Sequence, residues 1–138
     1  MKITIQRLNQ DVHMEAVNED GVSVHMDGTP DIGGKNLGFR PMQMLLAAAG
    51  GCSTIDIIDI LKKQRQKLDD IKVEATGERV SRGNYTEFSM IHLHYILSGD
   101  LDEKKVARAI ELSLTKYCSV TKTLEKTAEV SSSFEIKK

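Results

Sequence analysis

The 138-residue chain has no tryptophan and only three phenylalanines and three tyrosines. Surfaces that bind single-stranded nucleic acid are built largely from stacking aromatic side chains, and few are available here. Excess positive charge is missing too, because the chain has 19 Lys and Arg residues and 20 Asp and Glu residues, which give a formal net charge of −1. The sequence therefore predicts no nucleic-acid partner.

No hydrophobic run is long enough to predict a membrane span. The most apolar stretch, residues 44–61, is interrupted by Asp56 and Asp59, whereas a spanning helix needs about 20 predominantly apolar residues. Residues 1–5 alternate like a strand and lack the apolar core of a secretory signal peptide. We therefore expect a cytoplasmic protein with no membrane segment.

Cysteine is rare as well, with only Cys52 and Cys118 in the chain. A reducing compartment does not favour permanent disulfides, and neither residue belongs to a CxxC pair. Each cysteine is therefore either an inert core residue or a reactive thiol. For one cysteine on an apolar helix face, the inert interpretation is the commoner one.

What is present is ordinary for a globular protein, with 40% apolar and 28% charged residues. Alternation of apolar residues at 3–5, 12–16 and 22–26 predicts a three-stranded meander. Residues 27–38 are rich in glycine and predict a loop. Residues 41–66 open with a proline, which the first turn of a helix accepts, and predict a long helix.

Strand patterns return at residues 71–75 and 88–97, with a hairpin connection expected at 81–84. Apolar residues at helical spacing through 106–117 predict a second helix, and residues 130–136 suggest a closing strand. The expected caps are Asp100 or Asp102 for the second helix, and Ser119 or Thr121 for a short third one.

This order of elements predicts an α+β fold with antiparallel sheet, in a single domain covering residues 1–138. The first helix is apolar on every side in its first half. Such a helix needs more cover than one small sheet supplies. We therefore expect a homodimer.

The expected surroundings of the two thiols differ. Cys52 lies about three turns into the first helix, too far from its start for the helix dipole to activate it, but its glycine neighbours leave room for a substrate. Cys118 follows the second helix, and if a third helix starts there, its free N–H groups favour a thiolate.

Four histidines carry no metal prediction. His92 and His94 are two residues apart and therefore share one face of a strand, but the sequence places no third ligand beside them. Because apolar residues fill the opposite face, we expect both on the less buried side. His13 and His25 alternate in the same way and add no further signal.

The segments around both cysteines resemble a known family. Residues 38–53, GFRPMQMLLAAAGGCS, closely resemble the first motif of the OsmC/Ohr family, a proline followed by a Leu/Ala/Gly helix that ends in cysteine. Residues 117–120, YCSV, resemble its second motif, and the loop at 33–36 and the order of elements are similar too. The resemblance covers nearly the whole chain.

The resemblance implies an OsmC-like fold, with an antiparallel sheet packed on a long central helix in an intertwined homodimer. It also implies a thiol-dependent peroxidase that reduces organic hydroperoxides in oxidative stress defence without a cofactor. Cys52 would attack the peroxide and become a sulfenic acid, and Cys118 would resolve it to a disulfide that a dithiol reductant then opens. Thiolate nucleophiles and reversible sulfenic acids have this chemistry.

The chain departs from the family pattern beside the first motif. Characteristic members carry a glutamate just after the proline, where this chain has Met42 and Gln43. Gln43 can donate and accept hydrogen bonds but carries no charge. The family's arginine comes from the N-terminal region, which makes Arg7 the candidate, with Arg40 and Glu15 as weaker alternatives for the charged groups of the site.

Two functions stay open at this point. One is the hydroperoxide reductase. The other is a redox-sensing or small hydrophobic ligand-binding protein on the same fold, with an apolar groove beside the first helix as the binding site. The absence of the family's glutamate favours this second function.

Overall fold

The computed structural model describes residues 1–137 and divides into two compact units, with the chain boundary between Leu45 and Leu46. The first unit holds the three-stranded antiparallel meander that the alternation predicts. Its strands are β1 (Thr4–Arg7), β2 (Met14–Val17) and β3 (Ser23–Met26), hydrogen-bonded in that order.

The loop after β3 is organised by a buried carboxylate. Asp27 is 1% exposed and accepts hydrogen bonds from the backbone N–H groups of Gly28, Lys35 and Leu37. These hydrogen bonds lower the pKa of Asp27, and the one from Lys35 has the largest effect. The predicted loop is therefore an ordered one, and it contains a 3-10 turn at Pro30–Ile32.

Helix α1 spans Pro41–Lys63, close to the predicted range. At its start the Arg40 N–H donates to the Gln43 side-chain oxygen at 2.9 Å, which is one of the two hydrogen bonds of a capping box. Lys62 and Lys63 lie in its last turn, where cations are favourable. The chain then turns through Arg65, whose φ is 56°.

Much of α1 is not covered by this single chain. Among the described residues it is the one helix with the length and composition of a membrane span, at a mean hydropathy of 1.7 over its most apolar window, but central helices of soluble proteins have the same properties. Only 28% of that window is buried. Ile55 and Ile58 are 70% and 42% exposed.

The second unit is built on the sheet order β4-β5-β6. Strands β4 (Lys67–Ser81) and β5 (Thr86–Asp100) form the predicted antiparallel hairpin and are longer than predicted. The closing strand β6 (Glu129–Lys137) pairs with β5 in parallel. The sheet is thus mixed rather than wholly antiparallel, because the two helices between β5 and β6 provide the long crossover that parallel pairing requires.

Two helices form that crossover. Helix α2 (Glu103–Leu112) begins at Asp102, one of the two predicted caps, whose carboxylate accepts from the Lys105 N–H at 3.0 Å. A π-helical turn at Ser113–Tyr117 follows directly.

Helix α3 (Ser119–Leu124) corrects the second prediction of a cap. Neither Ser119 nor Thr121 caps it. The N-cap is Cys118, which has extended backbone angles and whose sulfur accepts from the Thr121 N–H at 3.5 Å. The π turn ends at Tyr117, so the helical conformation breaks at Cys118.

One face of β5 forms the core of the second unit, and the residues alternate between buried and half-buried. Among the fully buried apolar side chains that β5, α1 and α2 contribute are Ile91, Leu93, Tyr95, Leu97, Ile57, Leu61, Val106 and Ala109. As predicted, His92 and His94 lie on the less buried face.

A β-bulge distorts the start of β4. The register shifts between Leu68 and Asp70, and Gly99 of β5 pairs opposite Leu68. Gly99 has a φ of 133°, and a Cβ added there would lie 2.1 Å from the Lys67 carbonyl oxygen. Only glycine fits this place without displacing the neighbouring backbone.

Candidate active site

The second unit brings the two cysteines together. Cys52 lies on α1 and Cys118 at the start of α3, and both thiols are free. The two sulfurs and a carboxylate oxygen of Asp56 all lie within 4.8 Å of one another. The pairing that the family resemblance implies therefore has a geometric basis in this chain.

Asp56 is the site residue that the sequence did not reveal. It follows Cys52 by four residues, so the two side chains share one face of α1. In the sequence it only interrupts an apolar stretch, and the four-residue spacing from Cys52 was the available signal. The Ser113 hydroxyl lies 3.1 Å from Asp56 Oδ2 and 3.3 Å from the Ser53 carbonyl oxygen, so its one proton is shared between these acceptors.

A buried hydroxyl pair fixes α1 against β5 beside Cys52. The Tyr95 hydroxyl donates to Ser53 Oγ at 2.6 Å, and Ser53 Oγ donates to the Ala49 carbonyl at 2.8 Å. Both side chains are completely buried. Burial raises the pKa of Tyr95 to about 12, and the hydrogen bond to Ser53 opposes this only in part.

The Tyr95 hydroxyl should make stability depend on alkaline pH. We expect Tyr95→Phe to lower the free energy of unfolding by about 1 kcal/mol at neutral pH, because the Ser53 hydroxyl loses a partner. Between the ordinary pKa of 10 and the folded pKa of about 12, only the unfolded tyrosine loses its proton, so the wild type loses stability as the pH rises. Over that interval the loss is on the order of 2 kcal/mol.

Urea unfolding of both proteins at pH 7 and at several values between 10 and 12 tests this. The other tyrosines are common to both proteins and cancel in the difference. If the difference in unfolding free energy between the wild type and Tyr95→Phe stays constant over the whole pH range, the prediction is wrong.

Cys118 is the more enclosed of the two thiols, at 0% exposure. Burial is the largest influence and raises its pKa, and the neighbouring Cys52 raises it further. The hydrogen bonds from Thr121 act in the opposite direction. The predicted effect of a helix start thus exists but is outweighed by burial, so Cys118 is held as a protonated thiol while the half-buried Cys52 is the one that a small molecule can reach.

A groove adjoins the cysteine pair through Asp56. It is open to solvent, has a volume of about 510 Å³, and combines apolar and charged side chains. Besides Asp56, its lining comprises Asp59, Ile60, Lys63, Gln64, Leu112 and Tyr117. Such a groove can accept a small molecule with both an apolar part and a polar group.

The other predicted site residues lie in the first unit. Arg7 is exposed at the end of β1, and Gln43 is exposed with its oxygen bound to the Arg40 N–H. Glu15 lies 3.4 Å from His25 Nε2. Their roles toward a thiol stay predictions.

Serine side chains of β6 hydrogen-bond to both strand histidines. His92 hydrogen-bonds to Ser131 and Ser133 at 2.7 and 2.8 Å, and His94 to Ser133 at 2.7 Å. In the described part of the chain, no third Cys, His or acidic side chain converges with them. The residues with converging metal-ligand atoms are instead Cys52, Asp56 and Cys118.

Comparison with known proteins gives consistent results. Residues 33–133 match the family model described as OsmC-like protein. Protein YhfA of Escherichia coli K12 is 47% identical over 97 residues, which cover 70% of this chain and 72% of YhfA. The family-model match includes both cysteine motifs.

Solved structures share the fold over nearly the whole chain. A hypothetical protein from Aquifex aeolicus VF5 is 26% identical with a TM-score of 0.80, covering 99% of this chain and 97% of that one. An organic hydroperoxide resistance protein from Legionella pneumophila is 15% identical with a TM-score of 0.73, covering 98% and 97%. At this identity the second similarity concerns the fold alone.

Proposed function

The chain belongs to the family of OsmC-like proteins, and we propose that it reduces organic hydroperoxides, with Cys52 as the attacking thiol and Cys118 as the resolving thiol. The observation that carries the proposal is the convergence of two free sulfurs within 4.8 Å, one half-buried and the other fully buried. The hydroperoxide resistance protein with the same fold supports this choice of substrate.

The proposed chemistry balances in three steps. The Cys52 thiolate attacks the O–O bond, and with one proton the hydroperoxide leaves as an alcohol while Cys52 becomes a sulfenic acid. The Cys118 thiol displaces the sulfenic hydroxyl, which forms the Cys52–Cys118 disulfide and releases water. A dithiol reductant then exchanges with the disulfide, which restores both thiols and oxidises the reductant.

The enclosed state of Cys118 suits a resolving role. Because burial keeps its pKa high, this thiol does not compete for peroxide, yet it lies close enough to trap the sulfenic acid before further oxidation. Arg7 and Gln43 remain our proposed supporting residues. Gln43 uses its oxygen in the helix cap, which leaves its amide N–H groups as the donors it can offer.

The exposed apolar side of α1 and the two free thiols also bear on the assembly and the location of the protein. We infer that a second copy of the chain covers the exposed apolar side of α1 at Ile55 and Ile58, since large exposed apolar surfaces mark interaction sites. We also infer a cytoplasmic location, where dithiol reductants keep such thiols reduced.

A specific observation favours a second function, the binding of a small hydrophobic ligand with the cysteines as a redox sensor. Gln43 takes the place of the acid and is engaged as a helix cap, so it provides no charge for peroxide activation. The groove beside Asp56 would then be the ligand site.

One oxidation experiment separates the two functions. Reduced protein receives one equivalent of cumene hydroperoxide, and free thiols and peptides are then quantified by mass spectrometry. We expect both thiols to disappear, with one intramolecular Cys52–Cys118 disulfide and one equivalent of the alcohol. Thiols that remain reduced, or a Cys52 that proceeds to sulfinic acid without a disulfide, would reject the peroxidase cycle and favour the binding protein.

A further inference from the structure

The side chains around the cysteine pair also have the chemistry of a metal site, and we propose that the reduced protein binds one thiophilic divalent cation, Zn²⁺, through Cys52, Asp56 and Cys118. Cysteine thiolates and aspartate carboxylates both belong to the ligand types that bind this ion, and three protein ligands leave its fourth position open. The inference concerns binding to the reduced protein and does not depend on peroxide turnover.

The arrangement of the ligand atoms fits a tetrahedral ion. Cys52 and Asp56 are presented by adjacent turns of α1, and Cys118 faces them from the start of α3, with all three donor atoms within 4.8 Å of one another. Zinc bonds of about 2.3 Å to sulfur and 2.0–2.2 Å to oxygen place tetrahedral donors about 3.5–3.8 Å apart. A small contraction of the cluster is therefore sufficient.

The charge of the cluster also favours a cation. Within the described part of the second unit, Asp56 forms no ion pair, whereas the neighbouring Asp59 on the same helix pairs with Lys63 at 2.7 Å. Two thiolates and one carboxylate would carry three negative charges with no countercharge. A bound Zn²⁺ reduces that charge to about −1.

Outer contacts already hold two of the three ligands. The Ser113 hydroxyl lies 3.1 Å from Asp56 Oδ2, and the Thr121 N–H donates to the Cys118 sulfur. Such outer contacts orient ligands and raise metal affinity. With three protein ligands, the fourth position is left to water, and the half-buried Cys52 and Asp56 provide the approach from solvent.

Metal binding and oxidation exclude each other at this site. Binding replaces two thiol protons by one Zn²⁺ and releases both protons, so affinity rises with pH. Formation of the Cys52–Cys118 disulfide consumes two of the three ligands. The cation would therefore protect the reduced pair, and oxidation would release it.

The test titrates reduced, metal-free protein with Zn²⁺ alone against a chromophoric chelator. We expect one Zn²⁺ per chain, at least a tenfold weaker Kd for Asp56→Asn, and a larger loss for Cys52→Ser. Glu111→Gln is the matched control, because this exposed acid pairs with Arg108 on α2 and lies outside the cluster, and its Kd should equal that of the wild type. Protein oxidised to the disulfide should bind no Zn²⁺ at this site.

A second readout guards against misfolded variants. With Cd²⁺ as the probe, the thiolate-to-metal absorption band should persist in Asp56→Asn, whose thiols are intact, and weaken in Cys52→Ser. Equal Zn²⁺ affinity in the wild type, Asp56→Asn and Cys52→Ser would overturn the inference. Because the titrations of the reduced proteins use no oxidant, Zn²⁺ binding and the peroxidase cycle succeed or fail separately.

Discussion

Cys52→Ser is expected to lower the dithiol-dependent consumption of cumene hydroperoxide by about 1,000-fold or more, to the uncatalysed background. A serine hydroxyl has nearly the volume of the thiol but is not ionised at neutral pH and forms no sulfenic acid. Because Cys52 is only half-buried, the substitution should leave the fold intact. Alcohol formation in the presence of excess dithiothreitol measures the effect.

Cys118→Ser is the matched control for this substitution. It removes the proposed resolving thiol but keeps the proposed attacking one, so we expect the first equivalent of peroxide still to be reduced. Cys52 should then accumulate as sulfinic acid under excess peroxide, since nothing nearby traps the sulfenic acid. Equal turnover by the wild type and Cys52→Ser would refute the assignment of Cys52.

Gly99→Ala is expected to lower the free energy of unfolding by about 3 kcal/mol or more, from backbone strain and overpacking together. Its φ of 133° is one that residues with a side chain rarely adopt. The added Cβ would lie 2.1 Å from the Lys67 carbonyl oxygen and 2.8 Å from the Asp69 nitrogen. Both atoms belong to the backbone, so relief requires the β-bulge to move.

Chemical denaturation of Gly99→Ala beside Ser98→Ala measures this effect. Ser98 is the adjacent half-buried residue of the same strand, and its substitution should change the free energy of unfolding by only about 0.5 kcal/mol. If both variants unfold at the same denaturant concentration, the bulge tolerates a side chain and the strain argument is wrong.

Local patterns were sufficient for most of the fold. The meander, α1, the β4–β5 hairpin and α2 were predictable because each depends on the alternation or helical spacing of its own residues and on nearby turns and caps. Even the buried face of β5 followed from alternation, with Tyr95 inside and His92 and His94 on the other side.

Features that depend on distant parts of the chain were not predictable in the same way. Apolar alternation marks β6 as a strand but carries no direction, so its parallel pairing with β5 came only from the structure. Cys118 caps α3 because the preceding π turn ends there, and cysteine is not a usual capping residue.

For the candidate site, too, local sequence patterns were informative and contacts between distant parts of the chain were not predictable. Sequence motifs identified Cys52 and Cys118 through resemblance, but their proximity depends on the packing of α1 and α3. Asp56 was predictable in principle from its four-residue spacing to Cys52. Its bond to Ser113 was not, since Ser113 lies 57 positions away.

The parallel pairing of β6 has a consequence for the order of folding. The β4–β5 hairpin is local and can form early, whereas β6 can pair with β5 only after the crossover of residues 101–128 has been laid down. Cys118 belongs to that crossover and Cys52 to the helix before the hairpin. Because Cys52 precedes the hairpin and Cys118 follows it, we expect the two thiols to come together after the hairpin has formed, so a nascent chain carries two separate thiols until Cys118 has been added.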